Sequence, residues 1–253
     1  MYYGQAVTAY TKIIATIGPA SLDSSKLQAM KDAGMNCVRI NTAHGDFDQY
    51  KAILRRVERL GGVATMLDIK GPELRVRPDQ ALTVKEDGTV SVGFGEAEKP
   101  CINYDIYDDL ARGDTMFFDE GYIEAVVAEK TNDGRVTLRF NHDATVKPDK
   151  GVNTPGKELS LPSLSEKDKR CIEFAEENSV DYIAQSFVRR ADDVAETRRR
   201  LGEAPTKIIA KIENHEGVEN LEEIIDASDG VMIARGDLGV ELPQQRVPAI
   251  QKE

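Results

Sequence analysis

The sequence predicts an α/β protein, a (β/α)8 TIM-type barrel interrupted by a β-rich insert, and three observations lead there. Short aliphatic runs alternate with amphipathic stretches at both ends of the chain, the rhythm of a parallel sheet covered by helices. Charged residues stand just after most of the runs. A barrel gathers such strand ends on one face around one pocket, which favours it over an open doubly wound sheet. Between the two rhythmic parts, residues 76–156 break into short alternating stretches parted by Gly-containing turns.

The elements follow in order. A first strand is expected at Lys12 to Thr16, before Gly18-Pro19. A helix from about Asp23 to Ala33 carries Leu27 and Met30 on one side, and Gly34 ends it. A strand at Met35 to Asn41 leads to a helix at Asp46 to Leu60, with Phe47, Tyr50, Ile53, Leu54 and Val57 at helical spacing. Gly61-Gly62 stops that helix, and the third strand is Val63 to Asp68. The insert contributes strands such as Thr115 to Phe118, Ile123 to Ala128 and Arg135 to Phe140. Its turns are marked by Asp87-Gly88, Arg112-Gly113, Glu120-Gly121 and Asp133-Gly134. The barrel rhythm then resumes with a helix opened by Ser165, with Asp168 at N3 in a variant of the capping box. Strands at Asp181 to Gln185, Lys207 to Lys211 and Gly230 to Ala234 alternate with helices at Asp192 to Leu201 and Val218 to Ala227. A last helix begins near Pro243. The expected organisation is residues 1–75 as the first part of the barrel, 76–156 as the insert and 157–253 as the second part. Six strands are accounted for, so the expected barrel stops short of closing.

Composition narrows the function. The formal net charge is −11 and no basic stripe is visible, so a nucleic-acid partner is not expected. The three cysteines, Cys37, Cys101 and Cys171, are widely separated, which suits a reducing cytoplasm and neither a disulfide framework nor a zinc site. No apolar run reaches 18 residues and Met1 to Tyr10 has no leader pattern, so the expectation is a cytoplasmic protein with no membrane partner.

Four strand ends carry the chemistry: R-I-N-T-A-H-G (Arg39 to Gly45), D-I-K-G-P-E-L-R (Asp68 to Arg75), K-I-E-N-H-E-G (Lys211 to Gly217) and A-R-G-D-L-G (Ala234 to Gly239). Taken singly, each is ordinary: a Lys or Glu at a strand end is usually a solvated rim residue, and His44, His142 and His215 read as packing or helix-start residues. Together they put Arg39, Lys70, Arg75, Lys211 and Arg235 on one face with Asp68, Glu213 and Asp237. Glu213 and Asp237 suit an all-oxygen divalent ion such as Mg²⁺ or Mn²⁺ with only two protein ligands. The cations suit phosphate or carboxylate, and Arg235-Gly236-Asp237 could open a short helix whose backbone N–H groups grip an anion. No glycine loop of the Walker or protein-kinase type is present. The residues alone therefore point to a metal-dependent enzyme acting on a small phosphorylated or carboxylated substrate.

From about Thr11 to its last residue the chain resembles the pyruvate kinase family. The resemblance rests on T-K-I-I-A-T-I-G-P-A-S, A-G-M-N-C-V-R-I-N-T-A-H-G, L-D-I-K-G-P-E-L-R, K-G-V-N-T-P-G, L-S-E-K-D, Q-S-F-V-R, K-I-E-N-H-E-G and D-G-V-M-I-A-R-G-D-L-G-V-E-L, in that order. It implies transfer of a phosphoryl group from phosphoenolpyruvate to ADP, giving pyruvate and ATP, with the insert as a small β-barrel lid over the barrel mouth. By motif, Glu213 and Asp237 would hold the divalent ion, Lys211 would face the transferring group, and Arg39 would bind phosphate. Ala234, Gly236 and Asp237 would receive the substrate carboxylate. His44, Arg75, Asp119 and Glu120 would face the nucleotide, the last two from the lid. A potassium ion would take Asn41, Asp68 and the carbonyl of Ile69, but Ala43 stands where the family has a serine hydroxyl, which implies altered dependence on K⁺. Glu73 matches potassium-dependent members.

The resemblance also implies about 200 further residues and a homotetramer for the full-length form. The 253 residues are then expected either to be a piece of a longer enzyme, inactive by itself, or a short protein completed by pairing with another chain. Two other function classes stand beside the first. One is a divalent-metal barrel aldolase or lyase working through pyruvate enolate, which would need neither Lys211 nor the insert. The other is a non-catalytic assembly or regulatory piece.

Overall fold

The computed structural model describes residues 11–77, 81–85, 87–95, 97 and 100–253; the opening stretch read above for a leader lies outside them. The first rhythmic part folds as β1 (Ile13–Thr16), α1 (Ser24–Asp32), β2 (Met35–Asn41), α2 (Phe47–Leu60) and β3 (Ala64–Ile69). The middle holds β4 (Leu82–Val84), β5 (Thr89–Phe94), β6 (Cys101–Ile102), β7 (Thr115–Phe118), β8 (Ile123–Thr131), β9 (Arg135–Phe140), β10 (Ala144–Val146) and β11 (Val152–Asn153). The last part runs α3 (Glu166–Glu177), β12 (Tyr182–Gln185), α4 (Ala191–Leu201), β13 (Lys207–Ile212), α5 (His215–Glu219), α6 (Leu221–Ala227), β14 (Gly230–Ile233), α7 (Arg235–Glu241), a 3-10 turn (Gln244–Arg246) and α8 (Val247–Ile250).

Six strands from the two outer parts form one sheet in the order β1-β2-β3-β12-β13-β14, and every pairing in it is parallel. β3 and β12 pair directly, so the chain between them is a true insertion into the α/β unit. It leaves and returns side by side, since Arg75 bridges Gly151 antiparallel. The insert forms its own sheet, β11-β7-β8-β9-β5-β6, with β10-β4 as a separate pair. Its inward residues, among them Met116, Phe118, Val127, Leu138 and Phe140, pack into a core of their own.

The strand period of two divides the parallel sheet into a helix-covered face and an inner face. Val38, Ile40, Leu67, Ile69, Ile183, Ile208, Ala210 and Ile212 point to the helices and build the main core with Tyr50, Ile53, Ile172 and Val194. Cys37, Met66 and Ala184 alternate with them and cluster with Ile209 and Met232 on the other face. Continuing two residues along each strand reaches Arg39, Asp68, Ser186 and Lys211, and then Glu213. One apolar layer is thus followed, toward the C-terminal ends, by a layer of charge. β1 and β14 are the edges of the sheet, where Ile13, Ile14 and Val231 are exposed.

Local chemistry explains the helix boundaries. Asp46 caps α2 by accepting from Gln49 N, and Gly61 ends it at φ 63°. Ser165 and Asp168 form the expected capping box of α3. Asp168 Oδ1 also accepts from Gly71 N at 3.3 Å, which ties the turn after β3 to that helix. The expected helix at Val218 to Ala227 is instead two, α5 and α6, parted at Asn220, whose amide donates to Arg189 O at 2.9 Å. β14 ends at Ile233 rather than Ala234, because Ala234 is the N-cap of α7. Near Pro243 the chain makes the 3-10 turn before the four residues of α8.

Candidate active site

The ends of the parallel strands and the facing edge of the insert enclose a cavity of about 840 Å³. Of the residues singled out in the sequence, Arg39, Asn41, Ala43, Asp68, Lys70, Glu73, Arg75, Asp119, Glu120, Lys211, Glu213, His215, Gly236 and Asp237 line it, whereas Arg235, expected on the same face, is exposed outside the lining. His44 is exposed and Ala234 half-buried, and neither is in the lining. Ile69 is fully buried on the helix side, with its strand carbonyl still part of the β3 backbone.

Asp68 organises the floor. It is 3% exposed, and its Oδ2 accepts from Arg39 Nε at 2.6 Å, with a second contact from Arg39 Nη2. Its Oδ1 accepts from Lys211 Nζ at 3.2 Å and from Ser186 Oγ at 3.3 Å. One carboxylate therefore spans two cations that would otherwise repel. Arg39 is steadied on its other side by Thr16 Oγ1 at 2.7 Å, and it keeps 28% exposure toward the cavity.

Lys211 is buried to 8% exposure yet stays charged. Desolvation presses the ammonium pKa down, but Glu213 and Asp68 beside it outweigh that, and the net shift is upward. Glu213 is 1% exposed. Burial pushes its pKa from 4.5 up to about 7, with Asp237 adding to the rise while Lys211 and the Phe187 N–H offset part of it. Glu213 Oε2 accepts from Phe187 N at 2.8 Å. Oε1 lies 2.8 Å from Lys211 Nζ as an ion pair, but no donor is aligned with it and it remains a buried oxygen without a hydrogen bond. An orphaned carboxylate oxygen at the cavity floor, with the carboxylate of Asp237 also in the lining, fits a divalent cation. Among the described residues no group of three or more His, Cys, Asp or Glu is arranged around a metal position.

The potassium oxygens fit less well. Asn41 Oδ1 accepts from Ala43 N at 3.0 Å, Ala43 supplies no hydroxyl, and Thr42 Oγ1 is turned inward to Asp68 O at 2.8 Å.

The insert contributes the opposite wall. Asp119 and Glu120 lie in the left-handed region at φ 53° and 59°, followed by Gly121 at 86°. Two successive non-glycine residues there cost about 1 kcal/mol or more each, strain of the sort stored at functional turns. Lys150 Nζ pairs with Asp119 Oδ1 at 2.6 Å. Arg75 is held by Glu73, at 2.8 Å from Nη2 and 3.0 Å from Nε, and by the carbonyl of Asp149, beside the two strands that join the insert to the sheet. Asn153 on β11 donates to Glu241 Oε1 at the end of α7 at 2.8 Å, which fastens the insert across the cavity.

Sequence reasoning did not single out Ser186, Lys150, Asn153 or Glu241. Ser186 had a signal: it continues the alternation Tyr182, Ala184, Ser186 on the inner face. The others depend on how the insert is set against the sheet, which no periodicity reports.

A parallel sheet covered by helices, with charged side chains gathered at the C-terminal ends of its strands, defines the class of α/β barrel proteins. Within that class the assignment is specific: residues 8–253 match the model of the pyruvate kinase barrel domain, and the chain belongs to that family. It is 40% identical over 265 residues to a pyruvate kinase of Bacillus licheniformis, covering 96% of this chain and 44% of the relative. It is 42% identical over 258 residues to that of Geobacillus stearothermophilus, with the same coverage. With that of Schizosaccharomyces pombe it shares 38% over 270 residues, covering 98% of this chain and 52% of the relative. The chain thus spans about half the length of the curated relatives it matches. Among the described residues no helix is long and apolar enough to cross a membrane.

Proposed function

We propose that this chain carries the phosphoryl-transfer site of a pyruvate kinase, moving phosphate between phosphoenolpyruvate and ADP. The observation that carries the reading is the Lys211 ammonium, buried and charged between Asp68 and Glu213 and on the same face as Arg39. An ammonium held out of water and already oriented is worth more to a developing negative charge than one free in water.

Arg39 binds the phosphate with the guanidinium edge that Asp68 leaves free. Lys211 stands where charge appears on the transferring group and on the enolate oxygen, already desolvated and already oriented. The backbone N–H groups of Gly236 and Asp237, together with Ala234, receive the substrate carboxylate. Glu213 and Asp237 would hold the divalent cation, Mg²⁺ or Mn²⁺, which supplies charge neutralisation between two anions. The insert acts as a lid. Asp119, Glu120 and Arg75 face the nucleotide phosphates, with His44 at the outer rim, and closure excludes water that would otherwise accept the phosphoryl group. The assembly expected of the longer enzyme is a homotetramer in the cytoplasm.

Pyruvate formation from phosphoenolpyruvate, measured with and without ADP in the presence of Mg²⁺, tests this. ADP-dependent formation, with ATP appearing in equal amount, is the expected result. Pyruvate released without ADP would favour the lyase class instead. Binding of substrate without either reaction would favour a non-catalytic role.

A further inference from the structure

The turn after β12 presents two groups to the cavity floor, the Ser186 hydroxyl and the Phe187 amide. Ser186 is 3% exposed. Its Oγ accepts from Lys211 Nζ at 2.6 Å and donates to Asp68 Oδ1 at 3.3 Å. Lys211 has two aligned hydrogen bonds, to Ser186 and to Asp68, and the serine bond is the shorter. The next residue, Phe187, lies at φ 55°, a left-handed conformation unusual for an aromatic side chain, and its N–H donates to Glu213 Oε2 at 2.8 Å. Two consecutive residues therefore grip the two groups whose separation matters most, the ammonium and the carboxylate. The strain at Phe187 aims its amide at Glu213. On the other side, the backbone of Gly71 comes so close that a Cβ there would stand 2.8 Å from Ser186 O, which pins the turn to the loop after β3.

We infer that Ser186 is a positioning residue for phosphoryl transfer, holding Lys211 Nζ against Asp68 while the neighbouring amide holds Glu213. The inference rests on the function proposed above. Asp68 is shared with Arg39, so it cannot follow Lys211 alone. Were Glu213 to hold a divalent cation, Ser186 and Asp68 would remain as anchors of the ammonium. A serine is suited to this, because a neutral acceptor fixes direction without adding a third negative charge. Displacement of a reacting group by about 1 Å costs on the order of 100-fold in rate, which is the scale of what the turn protects.

The test compares Ser186→Ala, Ser186→Thr and the unaltered chain by two readouts. In steady-state transfer Ser186→Ala is expected to lose about 10-fold or more in kcat, equivalent to about 1.4 kcal/mol, with KM for phosphoenolpyruvate changed less than about 2-fold. Ser186→Thr, which keeps the hydroxyl, recovers most of that loss. The second readout needs no turnover: the side-chain ¹⁵Nζ resonance of Lys211, assigned by its absence in Lys211→Met. It should be observable in the unaltered protein and in Ser186→Thr, and broadened by fast exchange in Ser186→Ala. Unchanged kcat, or an unchanged Lys211 resonance, in a folded Ser186→Ala protein overturns the inference. Turnover is measured in the longer enzyme if the reading frame continues past Glu253; absence of ADP-dependent transfer there would instead overturn the functional reading, and the resonance would still decide how Lys211 is held.

Discussion

Glu213 should make the protein less stable as the pH rises through the range where an ordinary carboxylate makes it more stable. Its pKa is 4.5 when solvated and about 7 in the fold, chiefly because of burial. Between those values the native state binds the Glu213 proton more tightly than the unfolded chain, so this group's contribution to stability is greatest below 4.5 and is lost as the pH rises to about 7. At about 1.4 kcal/mol for each pH unit, that gap corresponds to about 3 kcal/mol. Glu213→Gln mimics the protonated side chain at every pH. It should therefore match the unaltered protein near pH 4.5 and exceed it by about 3 kcal/mol above pH 7, in urea unfolding without divalent cations. Added Mg²⁺ or Mn²⁺ should close the gap by stabilising only the protein that keeps the carboxylate. A difference between the two proteins that stays constant from pH 5 to pH 8 would refute the reasoning, because burial of an ionised Glu213 would then carry no cost.

Three further outcomes follow from single contacts. Gly71→Ala places a Cβ 2.8 Å from Ser186 O at a residue whose φ is +72°, so it should lose about 2 kcal/mol or more of stability and shift the Lys211 resonance, both readable on the purified variant. Arg189 donates to the carbonyls of Leu159 and Leu161 at 3.0 Å each and pairs with buried Asp193, so Arg189→Ala should cost about 3 kcal/mol in urea unfolding and speed proteolysis of the segment that returns from the insert. In a KCl titration of the transfer rate, activation should be weak or altered and Ala43→Ser should strengthen it. A saturable activation in the unaltered chain matching ordinary family members would contradict the role given to position 43.

The sheet was legible because its residues obey the strand period. Val38 and Ile40 against Cys37 and Arg39, or Ile208 and Ala210 against Ile209 and Lys211, already separate a helix face from an inner face. The charged motifs at the strand ends led to the expectation that Arg39, Asp68, Lys211 and Glu213 share one face, and they line one cavity. Other features were not readable, for physical reasons. The break at Asn220 depends on its amide reaching Arg189 O, a contact 31 residues away in sequence. The pair Asn153–Glu241 and the pair Lys150–Asp119 arise where the insert meets or turns beside the sheet, and spacing along the chain carries no record of that. His44 follows a strand end as the motif requires, yet Tyr50 Oη donates to its carbonyl at 2.7 Å and the imidazole stays outside the cavity lining.

The central claim is that Lys211 provides the charge on which phosphoryl transfer depends. It is tested by measuring ATP formed from phosphoenolpyruvate and ADP with Mg²⁺ in the longer enzyme, if the reading frame continues past Glu253, unaltered and as Lys211→Met in parallel, with cation binding followed in both. Transfer should require ADP and the cation and disappear in Lys211→Met, while that variant still binds the cation. A Lys211→Met protein that forms ATP at a near-normal rate would contradict it.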